Sequence, residues 1–416
     1  MIKHTILNWY KKNRKTMRIS VLVSIVIIIF SYMVANSAYP MAGEYTALKS
    51  IYDIKKFCGQ QLDNVPDSIL FINVCYDKQL VPYEEEGMPV GSISITDREK
   101  LLQFLNKAKE ADNYRYIFMD VLFDEEFETP ADSALFQTIN SMKNILIPTH
   151  QDAKLKDSIL YSKAANADYL VTWKQTSFAH YQFLHHDSIP SVALKMYIDL
   201  KPCESYGIKP HWGGLWYTDN GHLCQNGTTL FLNVRLNGSQ RDEEGQMRER
   251  NYIYLGADLL DLDSIIPVKD QIKNKIVIIG DFKSDTHFTY VGSQPGSAIC
   301  LNAYLMLIDG KHLVNWMHVL IMFIIYTIVG SFYLRGSSFQ SLFAIPWLGV
   351  LMSFLSTATL FLVIAIIAHW NDIAFNMWVP TTIYSFIDMY VQKRNIYNKK
   401  KNEKNIIISD SKYVAK

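Results

Sequence analysis

The chain has almost no net charge. Its 41 Lys and Arg are balanced by 40 Asp and Glu, leaving +1 over 416 residues. No field of one sign is available to steer a nucleic acid or an acidic substrate. Hydrolase signatures are missing as well. There is no GxSxG, no HExxH and no phosphate-binding glycine loop. Nothing therefore reads as a nucleophile elbow, a zinc-protease helix or a nucleotide cradle. The expectation is a protein without catalytic activity or cofactor, and one that binds no nucleic acid.

What the chain does have is apolar residues gathered at its two ends. Four segments, residues 21–39, 315–334, 341–367 and 373–391, approach or exceed the roughly 20 helical residues that cross a bilayer. The fourth is the weakest. It carries Pro380 and Asp388, and charge at membrane depth is costly. Asp388 lies near the end of the segment, where it can sit at the interface. Lys3, Lys11, Lys12, Arg14, Lys15 and Arg18 precede the first segment, and Lys393, Arg394, Lys399, Lys400, Lys401 and Lys404 follow the fourth. Basic flanks stay in the cytoplasm, so both termini belong there and the number of spans is even. The chain then divides into a basic flank (1–20), a first span (21–39), an outer domain (40–313), three spans (315–391) and a basic tail (392–416). Small residues at Ser37 and Ala38 permit signal cleavage. An apolar run longer than the usual signal core of about 7–15 residues favours a retained anchor.

The outer domain alternates strand and helix patterns. "SILFINVCY" (68–76) is a short apolar run of the kind that forms a buried strand. After a turn-prone segment, Thr96 and Glu99 predict a capping box, and Leu101, Leu102, Leu105 and Ala108 recur at helical spacing. "YRYIFMDVLF" predicts the next strand, Thr129-Pro130 the next helix start, and "NILIP" a third strand. Strands separated by helices argue for parallel pairing with crossovers. "SVALKMYIDL", "TTLFLNVRL", "NYIYLGADLL" and "KIVIIGDF" extend a mixed, partly parallel sheet. "LNAYLMLIDG" is the last helix, stopped by Gly310. The fold class expected is thus an α/β domain plus four transmembrane helices.

Several of these stretches resemble the second subtype of the CHASE domains, the "cyclases/histidine kinases associated sensory extracellular" modules. "INVCYD" is similar to the family's opening strand ending in Asp, here Asp77. "ITDREKLLQFLNKAKEADNYRYIFMDVLFDEE" resembles its Arg-led helix and DxxF strand, here Arg98, Asp120 and Phe123. "KIVIIGDFKSDTHFTYVGSQPGSAICLNAYLMLIDG" resembles its closing segment, with Gly280, Asp285, Gly292, Pro295-Gly296 and Asn302-Ala303 in place. The likeness covers residues 20–392. It implies a bacterial sensor held between one N-terminal and three C-terminal spans. The chain departs from the pattern in three places. The Trp-Pro pair before the Arg-led helix is absent, Ala298 and Cys300 occupy the acidic and His positions after Pro-Gly, and a short polar tail stands where family members carry an output domain.

Candidate site residues follow from placement. Asp77, Asp120, Asp124 and Asp281 fall at or just past predicted strand ends, the edge where open α/β sheets bind ligands. Arg98 and Asp285 join them as a polar set for a small ligand or cation. The bland alternative is that such residues cap helices and turns. Cys203 and Cys224 are a disulfide candidate in an oxidising compartment, with free thiols the main alternative and a zinc site through His211 and His222 the least favoured reading. No resident metal is expected. "HYQFLHH" (180–186) reads as a surface histidine loop able to sense pH. The expected function is an inner-membrane sensor that relays an envelope signal to a separate cytoplasmic or membrane signalling protein, with a homo-oligomer possible. The alternative is an accessory subunit of a membrane complex, its outer domain a docking surface.

Overall fold

The computed structural model describes residues 2–36, 42–59, 65–85, 88–124, 127–151, 154–168, 178–186, 188–201, 206–236, 251–336, 346–371, 373 and 375–414. Two compact units result, Lys49–Leu313 and the pair of segments Met1–Leu48 and Val314–Lys416.

Within the first unit, β1 (Ile69–Asn73) leads to a hairpin of β2 (Lys78–Glu85) and β3 (Met88–Thr96). Then come α3 (Arg98–Ala111), β4 (Tyr116–Asp120), α4 (Asp132–Ser141), β5 (Ile145–Thr149) and β6 (Ala164–Asn166). Here α1 (Ile2–Ala35) and α2 (Ala42–Phe57) are the helices that precede β1. Short strands β7 (His180–Gln182), β8 (Leu184–His185) and β9 (Ile189–Pro190) precede α5 (Val192–Leu200). A small sheet of β10 (Ile208–His211), β11 (Trp216–Asp219) and β12 (His222–Cys224) is followed by β13 (Gly227–Thr229) and β14 (Tyr252–Tyr254). A π-helical turn at Leu255–Leu260 and α6 (Val268–Gln271) lead to β15 (Ile276–Gly280). The hairpin of β16 (Thr286–Thr289) and β17 (Gly292–Pro295) opens into α7 (Gly296–Ile308).

The main sheet has six strands in the order β14-β1-β15-β4-β5-β6, and every pairing in it is parallel. It is therefore not the mixed sheet expected; the antiparallel pairs sit in separate small sheets. The reason is burial. Parallel sheets are covered on both faces, and Ile69–Asn73 and Ile276–Gly280 are buried at every residue. Leu70, Ile72, Ile117, Met119, Ile145, Ile147, Val277 and Ile279 share one core with α3 and α4. The alternate residues point to the opposite face, where α7 lies.

Three local readings change. The helix start at 96–99 is capped by Asp97, whose side chain accepts from the Glu99 and Lys100 amides, not by Thr96. "SVALKMYIDL" is helix α5, capped by Ser191 onto the Leu194 amide. "TTLFLNVRL" is strand only at its start. Residues 230–236 run irregularly and are bonded by side chains: Asn302 Oδ1 accepts the Asn233 and Val234 amides, and the Tyr290 hydroxyl accepts the Leu232 amide. Gly310 does stop α7, at φ +70.

In the second unit, α1 packs with α8 (Trp316–Tyr333), while α9 (Pro346–Trp370) packs with α10 (Trp378–Val414). Small and polar groups allow close approach between α1 and α8. Ser20 Oγ donates to the Thr327 carbonyl at 2.6 Å, and a Cβ on Gly330 would lie 2.6 Å from that same Oγ. Asp388 is buried within this unit, at 1 % exposure. Among the described residues, two stretches are long and apolar enough to cross a membrane, Arg14–Ala35 and Trp316–Tyr333. Ser37 and Ala38, the small residues that permit signal cleavage, lie outside the described residues.

Candidate functional site

The parallel register sets three residues side by side at the sheet's C-terminal edge. Asn73 pairs with Gly280, and Gly280 with Asp120. Neighbours in a parallel register project from the same face, so the row reads amide, notch, carboxyl. The notch is closed from above by the head of α7. A Cβ on Gly280 would stand 3.2 Å from Ser297 Oγ, 3.4 Å from Asp120 Cβ and 3.1 Å from the Phe282 ring. Glycine is what lets the first turn of α7 come down onto the strand end.

Asn73 is bonded at both ends of its side-chain amide. Its Nδ2 donates to the Tyr252 hydroxyl at 2.6 Å, and its Oδ1 accepts the Cys75 and Phe282 amides. Asp120 is different. Among the described residues its carboxyl has no hydrogen-bond partner. Burial, and then the charge of Asp285, push its pKa up to about 8. Asp285 is half-exposed and lies 3.2 Å from His287 Nε2. Ser297, in the first turn of α7, is only 1 % exposed.

The other expected site residues are placed elsewhere or already satisfied. Asp77 accepts Lys100 Nζ at 2.6 Å and the Gly256 amide at 3.1 Å. Space there is so tight that a Cβ on Gly256 would fall 2.5 Å from Asp77 Oδ1. Asp281 accepts Lys78 Nζ at 2.7 Å and the Lys283 and Ser284 amides. Burial alone would raise Asp281; the Lys78 bond and those amides outweigh it and hold it low. Asp124 faces Leu155 in an isolated bridge. Arg98 is 2 % exposed and spans both Asp132 oxygens at 2.6 and 2.7 Å, which ties α3 to the start of α4. The structure therefore brings Asp120 and Asp285 together beside Ser297, while Asp77, Asp281 and Arg98 are held by their own partners.

Cys203 lies outside the described residues. Cys224 is buried at the end of β12, where burial and then Asp219 push its thiol up. His211 Nε2 and Thr218 Oγ1 share a hydrogen bond at 2.8 Å, and His222 is exposed. Among the described residues, no group of three or more His, Cys, Asp or Glu could hold a metal ion. The histidine run is not a surface loop throughout, since His185 is buried in β8 and burial lowers its pKa.

Sequence reasoning missed Ser297, and it missed a second buried network. Asp219 Oδ2 accepts the Tyr197 hydroxyl and faces His312 Nε2, each at 2.8 Å, while Oδ1 accepts the Gly207 amide. The His312 carbonyl accepts the Gln225 amide, and Leu313 bridges Cys224. The last residues before α8 are thus bonded onto β12.

The state of Asp120 has a measurable consequence. In the folded chain it keeps its proton up to about pH 8, whereas unfolded Asp ionises near 4. Its contribution is full below about pH 4 and is lost as pH rises towards 8. Asp120→Asn removes that loss. Relative to the parent, the variant is expected to gain about 2 kcal/mol between roughly pH 5 and 9, a figure discounted for the partial exposure of the carboxyl. Urea unfolding of the full chain across that range tests it; parallel pH profiles would contradict the buried, protonated acid.

Comparison with known proteins identifies the family. The family model for the CHASE2 domain matches residues 66–332. No curated protein and no solved structure matches the chain. The matched span begins just before β1, takes in the row of Asn73, Gly280 and Asp120 together with α7, and ends inside α8. The chain belongs to the CHASE2 family of extracellular sensory domains.

Proposed function

We propose that this protein is a bacterial inner-membrane sensor. Its CHASE2 domain lies in the periplasm, detects an envelope signal at the C-terminal edge of the parallel sheet, and passes it to a separate partner. The carrying observation is the match of residues 66–332 to the CHASE2 domain, with the Asp120 carboxyl standing protonated near Asp285 at the sheet's C-terminal edge. A purely structural acid would be expected to have found a donor, as Asp77 and Asp281 have. The chain has no catalytic role in this reading.

Four spans carry the domain in this proposal: α1, α8, α9 and the first half of α10. The 25 residues of α9 contain no acid, Lys or Arg. The basic flanks at 3–18 and 393–404 place both termini in the cytoplasm. An engineered cysteine replacing Asn371 should then be modified from outside, and one replacing Ser337 should be protected. The reverse labelling pattern would overturn the topology and the sensor reading with it.

The accessory-subunit reading draws on one feature, the β2–β3 hairpin. It carries Leu80, Met88 and Val90 at 74, 66 and 59 % exposure. Exposed apolar side chains grouped on an arm suit docking. Co-purification in mild detergent separates the two readings: a signalling enzyme supports the sensor, a transport or secretion machine the subunit.

A further inference from the structure

One short sequence recurs through the outer domain. The chain holds 26 Asp and 30 Ser in 416 residues, so chance places Ser after Asp about twice. It occurs six times, and five of the six continue with an apolar residue: Asp67-Ser68-Ile69, Asp132-Ser133-Ala134, Asp157-Ser158-Ile159, Asp187-Ser188-Ile189 and Asp263-Ser264-Ile265. All five fall between residues 40 and 313. The sixth pair, Asp410-Ser411, lies in the basic tail and continues with Lys412.

Each of the five serines is exposed. Ser68 stands just before β1, Ser133 in the first turn of α4, Ser158 at the start of a 3-10 turn, Ser188 just before β9 and Ser264 ahead of α6. Turn chemistry explains part of the repeat. Asp157 accepts the Ile159 amide, Asp263 accepts the Val268 amide and Lys107 Nζ, and Asp132 holds Arg98. Asp187 lies outside the described residues. Turn chemistry does not explain the third position. Capping depends on the side chain at the cap, not on an apolar residue two places on. Packing does not explain it either, since Ile189 and Ile265 are 44 and 75 % exposed. A carboxylate, a hydroxyl and an apolar side chain, repeated at separate surface turns, form a pattern that an enzyme modifying Ser can read from outside.

The neighbours select the group transferred. A phosphate would add about 1.5–2 negative charges directly after a carboxylate in every triplet, where like charges repel. A glycosyl group is bulky and solubilising, carries no such charge, and covers apolar side chains such as Ile265. We propose that the five triplets are O-glycosylation sites, at which a separate transferase links a sugar to the serine hydroxyl. The donor is a sugar activated as a diphosphate. The serine Oγ attacks the anomeric carbon and a C–O bond forms as the bond to the diphosphate oxygen breaks. That oxygen leaves with the electron pair, and the hydroxyl proton passes to a base on the transferase. Nothing is oxidised or reduced. The inference rests on the proposed topology, which puts the triplets outside the membrane and Ser411 inside.

The test is mass spectrometry of the full chain purified from membranes of its native host. Intact mass gives the total addition, and peptides fragmented by electron transfer locate it. The expected result is carbohydrate on triplet serines, removed by mild-alkali β-elimination, with Ser411 bare. Sugar on both Ser188 and Ser264, the triplets with an exposed isoleucine, is the least that supports the proposal. Ser264→Ala should remove that one addition and leave the others. Ile265→Lys places the tail's third residue in an exposed triplet and should lower occupancy at Ser264 about tenfold or more. At 75 % exposure this position contributes little to packing, so the variant should fold. A bare serine at either Ser188 or Ser264 overturns the proposal, and so does phosphate in place of sugar. Sugar spread equally over serines outside the triplets, or undiminished occupancy in Ile265→Lys, overturns it as well. The labelling experiment at Asn371 and Ser337 reports topology independently. Bare serines on a correctly oriented chain therefore remove the glycan and leave the sensor reading standing.

Discussion

Replacing Arg98 with methionine is expected to destabilise the outer domain by about 3–5 kcal/mol. The guanidinium is 2 % exposed, bonds both oxygens of Asp132 and the Phe127 carbonyl, and sits 5.5 Å from the centre of the Phe123 ring. Methionine can fill most of that volume but cannot neutralise Asp132. A carboxylate 5 % exposed would then keep only the Thr129 amide and hydroxyl. The cost is that of a buried, uncompensated charge rather than of the lost contact itself. Asp132→Leu in the same chain should therefore restore part of the loss, because an apolar pair no longer strands a charge. Recovery should stop short of the parent, since the Thr129 amide loses its acceptor. Urea unfolding of the single and double variants checks both statements. A single variant within about 1 kcal/mol of the parent would show that the pair contributes little.

That pair also marks where sequence reading reaches its limit. Arg98 was legible as a residue at a helix start near a strand end. Its partner was not, because Asp132 lies 34 residues away on another helix. The same holds for Asp77 and Asp281, whose lysines come from separations of 23 and 203 residues. Position relative to a strand end is a local property and can be read; saturation by a distant donor is not local. Asp120 was readable as a site residue for the same reason, but its lack of a partner was not.

The strands of the main sheet were legible because parallel strands buried on both faces appear as unbroken apolar runs. The same density misleads at α5. "VALKMYIDL" is apolar enough, over nine residues, to pass for a buried strand. The Ser191 cap was the signal to weigh against it. The β2–β3 hairpin went unread because Pro82, Gly87, Pro89 and Gly91 punctuate it, and these residues normally mark turns. With much of its apolar surface exposed, the hairpin carries no core-facing pattern from which register could be inferred.

Replacing Asp219 with alanine should have an effect as large as that at Arg98, and a second, local effect next to α8. Asp219 is 3 % exposed and receives the Tyr197 hydroxyl and the Gly207 amide, with His312 Nε2 also at 2.8 Å. Removing it orphans these buried groups at about 1–3 kcal/mol each, so a loss of about 3–5 kcal/mol is expected after relaxation. Asp219→Asn keeps the shape and should cost less. The loss should depend on pH. Burial alone would raise this acid, but the His312, Gly207 and Tyr197 bonds outweigh it and hold its pKa below the usual Asp value. Stability from a depressed acid is full above about pH 4 and disappears below it, so parent and Asp219→Asn should converge on acidification. The local effect follows from where His312 sits, three residues before the Asn315 that caps α8. With Asp219 gone, the His312 ring loses its anchor, and the Gln225 amide that donates to the His312 carbonyl should exchange with solvent faster. In the sensor reading this segment is the only covalent route from α7 into α8, so a chain that stays folded with residues 311–313 released should bind ligand yet fail to alter the cytoplasmic side. Hydrogen exchange of Asp219→Ala in nanodiscs reads the release directly. Unchanged protection at Gln225 and Leu313 would remove Asp219 from any role in coupling.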